Sequence, residues 1–396
     1  MTKKQHPINM SSPDINQDDI QAVYETMQTP YLSIGPKIKD FEQAFCEFVG
    51  APFAIGVNSG TSGLHLCIRA SGVEAMDYVI TTPFSFVSST NVILFEKAIP
   101  VFVDVDPKTG NIDPEQAARA VDDLSSGEAA RMRKWLPKKG ASTGGKLRSI
   151  LSVDVFGQPA DYDPLRKIAD SHHLTLIEDS CEALGAEYKN RKAGMLGDFG
   201  VFAFYPNKQI TTGEGGMIVT ADPQAADLMM ALRNQGRAPN DTWLQHTYLG
   251  YNYRLDELSA ALGVSQMKRI RKLLRNRARV ADWYNQRLGQ IHEIQAPFIT
   301  DTTTTVSWFV YVIRVDAAVS RDQLAKDLQQ AGIPVRPYFL PIHLQPYMKK
   351  EFGYQAGDFP VTEDLGSRCL ALPFSGRMTE DQVETVCSVL KTCLKQ

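Results

Sequence analysis

The sequence contains little cysteine, and its few cysteines follow no recognisable pattern. Six cysteines are spread over 396 residues, without C-x-x-C spacing and without a partner pattern of histidines. This distribution argues against a zinc site and against a disulfide framework. We therefore expect no metal ion, and the free thiols suit a reducing cytoplasm.

Long apolar runs and excess charge are also missing. No run reaches the roughly eighteen apolar residues of a membrane span, and the N-terminal stretch MTKKQHPINMSSPD lacks the apolar segment of a signal peptide. The formal net charge is only −3, so the composition implies no polyanionic partner. No repeat, low-complexity tract or nucleic-acid motif is present. We expect a soluble cytoplasmic protein that binds neither membranes nor nucleic acids.

The order of apolar patterns predicts an α/β fold with two domains. From residue 50 to 232 short apolar runs alternate with helical patterns, which predicts right-handed crossovers and a mostly parallel sheet covered on both faces. A long helical pattern at 255–288 follows. A strand at 308–315 and a last helix then predict a smaller α+β unit. The predicted limits are a large domain at 1–254 and a small C-terminal domain at 255–396 that begins with the long helix.

The stretch 197–220, GDFGVFAFYPNKQITTGEGGMIVT, predicts a strand, a polar loop and a second strand. The loop carries a single lysine, Lys208, between Pro206 and a group of glycines that allow close approach of the backbone. A lysine between apolar strands can be partly desolvated, which favours the neutral amine as a nucleophile for Schiff-base chemistry. The residues of this stretch alone leave a solvated loop lysine as the alternative.

A second candidate feature is the small-residue turn at 58–63, NSGTSG. It follows a predicted strand at 53–57 and precedes a predicted helix at 64–70, so its backbone N–H groups could bind an anion such as a phosphate. The turn is neither GxGxxG nor GK[ST], so nucleotide hydrolysis is not supported. Such turns also occur without any ligand.

Two further residues are candidates for contacting a ligand ring. Asp179 follows a predicted strand at 174–177, at the end where open α/β sheets bind ligands, and it could pair with a pyridinium nitrogen or cap a helix. Phe86 could lie over a planar ring, although core packing is the commoner role for a phenylalanine in an apolar context.

These motifs resemble the DegT/DnrJ/EryC1/StrS family, the pyridoxal-phosphate (PLP) sugar aminotransferases. The family pattern F-S-F-x-x-x-K-x-x-x-x-G-E-G-G is matched from Phe202 to Gly216, except that Ala203 stands where the family commonly has a serine that contacts the cofactor phosphate. The E-D pair at 178–179 and the G-x-N-x-R motif at 250–254 also match. The resemblance extends from residue 35 to the C-terminal helix.

The resemblance implies a fold type I PLP-dependent aminotransferase-like architecture and a set of cofactor contacts. Lys208 would hold PLP and move protons as general base and acid. Asp179 would pair with the ring nitrogen, and Phe86 would stack on the ring. Thr61 and Ser62 would bind the phosphate.

The remaining implied contacts involve the phenolic oxygen, the partner subunit and the substrate. Glu182 would lie next to the phenolic oxygen, where many members have glutamine or histidine. Asn252 would reach the phosphate of the partner subunit's cofactor, which implies a homodimer with shared active sites. Tyr338 and His343 resemble the substrate-side motif, and a buried hydrogen-bonded histidine is an equal alternative for His343.

The implied activity is PLP-dependent transfer of an amino group from an amino acid, with glutamate expected, to a keto sugar on a nucleoside diphosphate. A 4-keto-6-deoxyhexose is favoured, for amino-sugar or surface-polysaccharide biosynthesis. Alternatives are a cyclitol ketone as acceptor, a PLP-dependent sugar dehydratase, in which histidine would replace Lys208, and a non-enzymatic regulatory protein. The sequence does not specify the sugar, the nucleotide or the carbon that is aminated.

Three local features complete the expectations. The basic, small-residue-rich stretch 122–148 is predicted to be a solvated surface excursion, with a lid or a partner contact as the alternative. Capping boxes are predicted at Ser320 with Gln323 and at Thr379 with Gln382.

Overall fold

The computed structural model of the protein describes residues 7–395. Residues 1–6 of the predicted large domain and Gln396 of the predicted small domain lie outside the described residues. Within that range the strands are β1 Phe53–Val57, β2 Tyr78–Thr81, β3 Ile99–Phe102, β4 Leu147–Val153, β5 Thr175–Asp179, β6 Glu187–Tyr188, β7 Arg191–Lys192, β8 Phe199–Ala203, β9 Gly216–Thr220, β10 Ile294–Gln295, β11 Thr303–Thr305, β12 Tyr311–Val315, β13 Arg336–Pro337 and β14 Cys369–Leu372.

The α-helices alternate with the strands in the first half of the chain. They are α1 Gln17–Met27, α2 Pro36–Val49, α3 Gly60–Ala70, α4 Ser88–Phe95, α5 Pro114–Ser125, α6 Ala129–Met132, α7 Tyr162–His172, α8 Pro223–Arg233, α9 Glu257–Lys268, α10 Ile270–Leu288, α11 Arg321–Gln330, α12 Pro346–Phe352, α13 Pro360–Arg368 and α14 Glu380–Cys393. No helix in the described range is long and apolar enough to cross a membrane.

A seven-stranded sheet in the order β1-β9-β8-β5-β4-β2-β3 forms the centre of the molecule. Five neighbouring strands, from β8 to β3, run parallel. The β9 strand runs antiparallel to β8, because the loop that joins them contains no crossover helix, and it also pairs antiparallel with β1. The prediction of an α/β fold with a mostly parallel sheet is confirmed.

The α3 helix begins four residues earlier than predicted, at Gly60. The Ser59 side chain caps it by accepting a hydrogen bond from the Ser62 N–H (3.0 Å). Glycine suits the first position, since a Cβ on Gly60 would lie 2.8 Å from both Ala203 Cβ and Cys181 Sγ. The predicted turn is therefore largely the first turn of a helix.

The predicted single helix at 255–288 is two helices, α9 and α10, separated at Arg269. The backbone of Arg269 leaves the helical region at φ −121° and ψ 14°. Its guanidinium bonds Asp14 Oδ1 (2.9 Å) and Asp19 Oδ2 (2.6 Å), which ties the break to the N-terminal segment. The prediction of one long helix was wrong. The apolar pattern of 255–288 continues through Arg269, so the sequence gives no sign of the break.

The stretch 122–148 is more ordered than the predicted solvated excursion. The α5 helix continues to Ser125, and α6 buries Met132 in the core. The Lys139 N–H donates to the Phe352 carbonyl (3.1 Å), and Lys138 Nζ lies 3.1 Å from Asp358 Oδ1. These contacts fasten the stretch to the segment around α12.

A four-stranded antiparallel sheet in the order β10-β12-β14-β13 follows in the second half of the chain. Its core packs against α10, α11 and α14, with Tyr284, Tyr311 and Phe374 stacked in sequence. The sequence patterns did not reveal β14, α12 or α13. The domain limits at 254 and 255 stay a prediction.

Both predicted caps exist, but only one is complete. Thr379 and Gln382 form a reciprocal capping box at α14. At α11 the Ser320 side chain accepts from the Gln323 N–H, whereas the Gln323 side chain donates to Asp327 Oδ1 (2.8 Å) instead of returning to the cap.

Candidate active site

Six of the predicted site residues line one cavity of about 630 Å³. The cavity lies at the carboxyl ends of β4, β5 and β8, where a mostly parallel sheet is expected to bind its ligand. The six residues are Thr61, Phe86, Asp179, Glu182, Lys208 and Tyr338. The fold therefore brings together side chains that are up to 277 positions apart in the chain.

Lys208 occupies the loop between β8 and β9, and its amine lies between an acid and an aromatic ring. Lys208 Nζ is 3.6 Å from Glu182 Oε1 and 3.8 Å from the centroid of the Phe309 ring. The side chain of Lys208 is 13% exposed. The structure thus gives this lysine the partly desolvated position that the sequence pattern predicted, instead of the solvated alternative.

Arg277 on α10 holds the backbone around Lys208, and the sequence reasoning missed it. Its Nη2 donates to the carbonyls of Asn207 (2.9 Å) and Lys208 (2.6 Å), and its Nη1 donates to those of Trp308 (3.2 Å) and Phe309 (3.1 Å). Burial lowers the pKa of the guanidinium to about 10, so it stays charged at neutral pH.

The four carbonyls that Arg277 binds come from two separate segments. One segment carries Lys208, and the other carries the ring that lies against the amine of Lys208. Within the described residues no carboxylate lies within 4 Å of Arg277, so these carbonyl dipoles are what stabilises its buried charge. The sequence did contain one signal for Arg277. It is a lone arginine on the apolar face of α10, four residues after Leu273 and three before Val280.

Glu182 is held on the other side of the lysine. Its Oε2 accepts the Phe156 N–H (2.9 Å), and the side chain is largely buried. Burial raises the pKa of the Glu182 carboxyl, while the charge of Lys208 opposes that shift. Burial, aided by the charge of Glu182, also raises the pKa of Tyr338 to about 12. Glu182 is therefore a proton-binding group in direct reach of the lysine amine.

Asp179 ends β5 and presents its carboxylate to the cavity. Its Oδ2 accepts a hydrogen bond from Ser89 Oγ (2.9 Å), and its Oδ1 accepts from the Cys181 N–H (3.3 Å). Within residues 7–395 no basic side chain lies within 4 Å of this buried carboxylate. A buried anion without a cationic partner fits a ligand that brings a protonated ring nitrogen.

The start of α3 provides a cradle for an anion. Thr61 lies in the first turn of this helix at the cavity wall, and its Oγ1 donates to Ser88 Oγ (3.0 Å). Positive charge and free N–H groups concentrate at such a helix start. A Cβ on Gly216 would lie 2.6 Å from the Ser59 carbonyl oxygen, so a larger residue there would push the cradle apart.

Ser62 occupies a different environment from the other predicted phosphate ligand. Its hydroxyl donates to Asn58 Oδ1 (2.6 Å) and lies 2.9 Å from Ser59 Oγ, and the residue is not part of the cavity wall. Its predicted contact with the phosphate stays a prediction.

Phe86 is 64% exposed at the cavity and is therefore not the core residue of the alternative interpretation.

Asn252 and His343 lie away from the cavity. Asn252 is exposed on the surface, where its carbonyl accepts from Asn58 Nδ2 (3.4 Å). His343 is fully buried, with Nε2 bonded to Glu363 Oε1 (2.9 Å) and its ring packed against Phe359. Burial lowers the pKa of His343. The structure thus places His343 in the buried, hydrogen-bonded position that was the alternative to a substrate contact.

Several cavity residues had no signal in the sequence. Phe309 and Phe339 come from the segments before β12 and after β13, and Gln345 precedes α12. Tyr205 and Asn207 flank Lys208 and could have been inferred from that proximity. The arrangement as a whole offers a nucleophilic amine, a fixed carboxylate, an aromatic wall and an anion cradle, which together suit a planar anionic aldehyde.

Comparison with known proteins gives a consistent result over nearly the whole chain. The model of the DegT/DnrJ/EryC1/StrS aminotransferase family matches residues 13–391. The GDP-perosamine synthase of Caulobacter vibrioides is 35% identical over 98% of both chains. The spore coat polysaccharide biosynthesis protein SpsC of Bacillus subtilis is 34% identical, covering 99% of this chain and 98% of its own.

A solved structure shares the fold as well. The Helicobacter pylori aminotransferase PseC, involved in the biosynthesis of pseudoaminic acid, superposes with a TM-score of 0.86 at 26% identity. The match covers 98% of this chain and all of that chain.

Proposed function

Since the chain belongs to the DegT/DnrJ/EryC1/StrS aminotransferase family, we propose that it aminates a keto sugar carried on a nucleoside diphosphate. The protein is a PLP-dependent aminotransferase. The observation that carries the proposal is the meeting of Lys208, Glu182 and Asp179 in one cavity. The amino donor is an amino acid, with glutamate expected.

The residues of the cavity fit PLP. When bound, PLP supplies an aldehyde to which an amine can bond and a ring that accepts electrons from the reacting carbon. Lys208 is the residue that would hold the aldehyde, and Asp179 would hold the ring nitrogen. Phe86 would cover the ring, and Thr61 with the start of α3 would hold the phosphate. Ser62 and Asn252 are the further proposed phosphate ligands.

Lys208 moves the protons in the proposed reaction. Its Nζ is an acceptor when neutral and a donor when charged, which is what a group acting first as base and then as acid requires. Glu182 Oε1, at 3.6 Å, stabilises the charged amine, and the face of the Phe309 ring does so from the other side. Because both neighbours are fixed, the amine keeps its position while its proton changes.

Asp179 keeps a proton on the ring nitrogen in this proposal. The Ser89 hydroxyl and the Cys181 N–H orient its two oxygens and stabilise the negative charge. The absence of a competing cation in the described structure leaves this charge for the ring. Replacing Asp179 with asparagine would retain the shape and remove the charge.

The acceptor is proposed to be a 4-keto-6-deoxyhexose on its nucleotide, for amino-sugar or surface-polysaccharide biosynthesis. Two named relatives support this class: one is a GDP-perosamine synthase and the other serves spore coat polysaccharide biosynthesis. The volume of the cavity suits a cofactor and a sugar, and Tyr338 and Gln345 provide polar groups on the substrate side. His343 is the less direct candidate, since its Nε2 is bonded to Glu363 and the residue does not line the cavity. A cytoplasmic location stays a prediction.

We also propose a homodimer with shared active sites. The loop that precedes Asn252 exposes large apolar side chains, with Leu244 70% and Leu249 82% exposed. The α1 helix exposes Ile20, Tyr24 and Met27, whose spacing puts them on one face. Groups of exposed large apolar side chains are typical of protein interfaces. Asn252 would cross that interface to the partner's cofactor.

The first test uses absorption spectra of the purified protein with PLP, before and after glutamate. The proposal expects the visible band of bound PLP to disappear with glutamate in the wild type but not in Lys208→Ala. Borohydride reduction followed by peptide mass analysis should label Lys208. Lys189→Ala, which removes a surface lysine paired with Asp163, is the matched control and should behave as the wild type.

The second test uses a panel of nucleoside-diphosphate keto sugars and cyclitol ketones. Amination of a nucleotide-linked 4-keto-6-deoxyhexose in preference to free or cyclitol ketones supports the proposal. Turnover by the Lys208→Ala enzyme would contradict the proposed role of Lys208. A protein that binds PLP but ignores every amino donor would instead point to the dehydratase or regulatory alternatives.

A further inference from the structure

A second, smaller cavity of about 240 Å³ lies beside the segment that carries Asn252. It is enclosed by the end of α8, the chain before α2 and the residues that follow Asn252. Three arginines line it: Arg233, Arg237 and Arg254. Within the described structure its wall includes no acidic residue. All charged side chains in its wall are therefore positive.

The three guanidinium groups differ in whether their charge is compensated. Arg233 is bonded to the Glu42 carboxylate and to the Gly56 carbonyl. Arg237 and Arg254 have no carboxylate within 4 Å among residues 7–395. Two positive charges thus face this cavity without an internal counter-ion.

The arginines also have donors that the protein does not use. The Nε atoms of both Arg237 and Arg254 are buried and lack a hydrogen-bond partner in the described residues. Buried donors are nearly always paired in native proteins, so both Nε–H groups are available to an acceptor from outside the chain. Asn234 links the two residues, because its Oδ1 accepts from Arg254 Nη1 (3.0 Å) and its carbonyl accepts from the Arg237 N–H (3.3 Å). An oxyanion would satisfy both the charge and the donors.

An aromatic platform stands next to this pair. The Trp243 ring lies 5.2 Å from Cζ of Arg237, and 80% of the residue is exposed. Guanidinium groups suit phosphate geometry, and exposed indole rings stack on nucleobases. Phosphate-type donors beside a free aromatic face are the chemistry that recognises a nucleotide.

We propose that Arg237 and Arg254 bind the diphosphate, and Trp243 stacks on the base, of the nucleoside diphosphate that carries the sugar. This assignment rests on the proposed function, because it names the part of the substrate that the site recognises. Asn252 pairs with Asn234 through a β-bridge, and Arg254 follows it by two residues. In the proposed dimer the arginine site would therefore lie near the active site of the partner subunit that Asn252 is proposed to reach.

The experiment measures binding of GDP, UDP, dTDP, pyrophosphate and phosphate to the PLP-loaded protein by calorimetry and tryptophan fluorescence. Arg237→Gln and Arg254→Gln should each weaken nucleoside-diphosphate binding by about tenfold or more. Trp243→Phe should remove the fluorescence response. Arg279→Gln is the matched control, since Arg279 also lies over an indole, that of Trp283 at 5.3 Å, on another face. It should bind nucleotides as the wild type does.

Several outcomes would overturn the assignment. Unchanged nucleotide affinity in both arginine variants would do so, and so would an equal loss in Arg279→Gln, which would mean a general charge effect. Phosphate binding as tightly as every nucleoside diphosphate would remove the role of the base. Arg237 makes no side-chain hydrogen bond in the described structure, so Arg237→Gln should fold even if Arg254→Gln does not.

The glutamate half-reaction separates this inference from the proposed function. It requires no nucleotide, so Arg237→Gln should convert bound PLP with glutamate at the wild-type rate. Failure of the half-reaction in the wild type would refute the proposed function. A working half-reaction with nucleotide affinity that ignores both arginines would refute the arginine site alone.

Discussion

Glu182 Oε1 lies 3.6 Å from Lys208 Nζ, and both side chains are at least 87% buried. The carboxylate is fixed by the Phe156 N–H, so the lysine amine has an acid of constant position beside it. Many members of the family have glutamine or histidine at this position, and a glutamate there supplies a negative charge that neither of those provides. The pair therefore couples the protonation of the two groups.

Glu182→Gln should change the pH response of the enzyme. An ionised Glu182 stabilises a positive charge on the nitrogen of Lys208, so its removal should lower the pH midpoint at which the visible band of bound PLP changes. Turnover should persist, because many members of the family have glutamine at this position. Absorbance titration measures the midpoint and steady-state kinetics measures the turnover. Glu187→Gln, which alters a surface pair with Lys192, is the control; a midpoint unchanged in Glu182→Gln would contradict the prediction.

Arg277→Met should weaken cofactor binding and turnover together. The change leaves four carbonyls without their donor and unties the Lys208 loop from the Phe309 segment, at a cost of about 1–3 kcal/mol for each unsatisfied group that water cannot reach. The expected result is a higher Kd for PLP and a lower kcat with little change in KM. Arg277→Lys keeps the positive charge but loses the two-pronged donor geometry of the guanidinium, so its Kd for PLP and its kcat should lie between those of the wild type and Arg277→Met.

Arg287→Met provides the control for Arg277 on the same helix. Arg287 bonds Glu380 and Glu384 at the surface end of α10, away from the cavity. Its loss should lower thermal stability slightly and leave the PLP spectrum unchanged. Equal PLP affinity in the wild type and Arg277→Met would show that Arg277 has no positioning role.

Ala203→Ser should tighten cofactor binding. Ala203 lies at the end of β8 in the cavity wall, and the family commonly has a serine there whose hydroxyl contacts the phosphate. One added hydrogen bond to a charged group is worth about 1.5–3 kcal/mol, so the Kd for PLP should fall by about tenfold or more. Fluorescence or absorbance titration of the cofactor-free protein measures it. Ala203→Val adds bulk without a donor beside Gly60 and should not tighten binding; equal gains in both variants would rule out the hydrogen bond.

His343 should make stability fall at mildly acidic pH. Burial lowers the pKa of its imidazole, so the unfolded chain binds the proton more readily than the folded one. The stabilising contribution is therefore complete above the ordinary pKa of about 6.5 and is lost as the pH falls from there through the folded-state pKa. Urea unfolding at pH 7.5 and 5.5 should show a smaller difference in the free energy of unfolding for His343→Gln. An identical difference would refute this.

The sequence alone identified the local features correctly. The hairpin around Lys208 follows from two apolar runs with a glycine-rich connection, and it appears as β8 and β9 in register from Phe199 opposite Thr220. The α2 helix ends at Gly50 in the left-handed conformation that glycine favours (φ 82°). Asp179 ends a parallel strand, as its place after an apolar run indicated. Each of these depends on residues within a few positions of one another.

The features that the sequence missed involve distant segments. Apolar periodicity shows that one face of α10 is buried, but it does not show that Arg277 on that face meets the carbonyl of Lys208. It likewise could not reveal the break at Arg269, which depends on Asp14 and Asp19 from the other end of the chain. These contacts depend on how elements pack, and packing distance is not encoded in spacing along the chain.

The sequence by itself determined the parallel sheet, the lysine loop and the class of cofactor, because strand patterns, turn glycines and a shared motif are local signals. Only the tertiary structure decided what surrounds the lysine amine and which arginines lack partners. It set Glu182 and Phe309 on two sides of Lys208 and left Arg237 and Arg254 uncompensated at the second cavity. The physical reason is that the burial of a side chain and the compensation of its charge depend on its neighbours in space. Those neighbours come from segments that can be 220 residues apart in the chain.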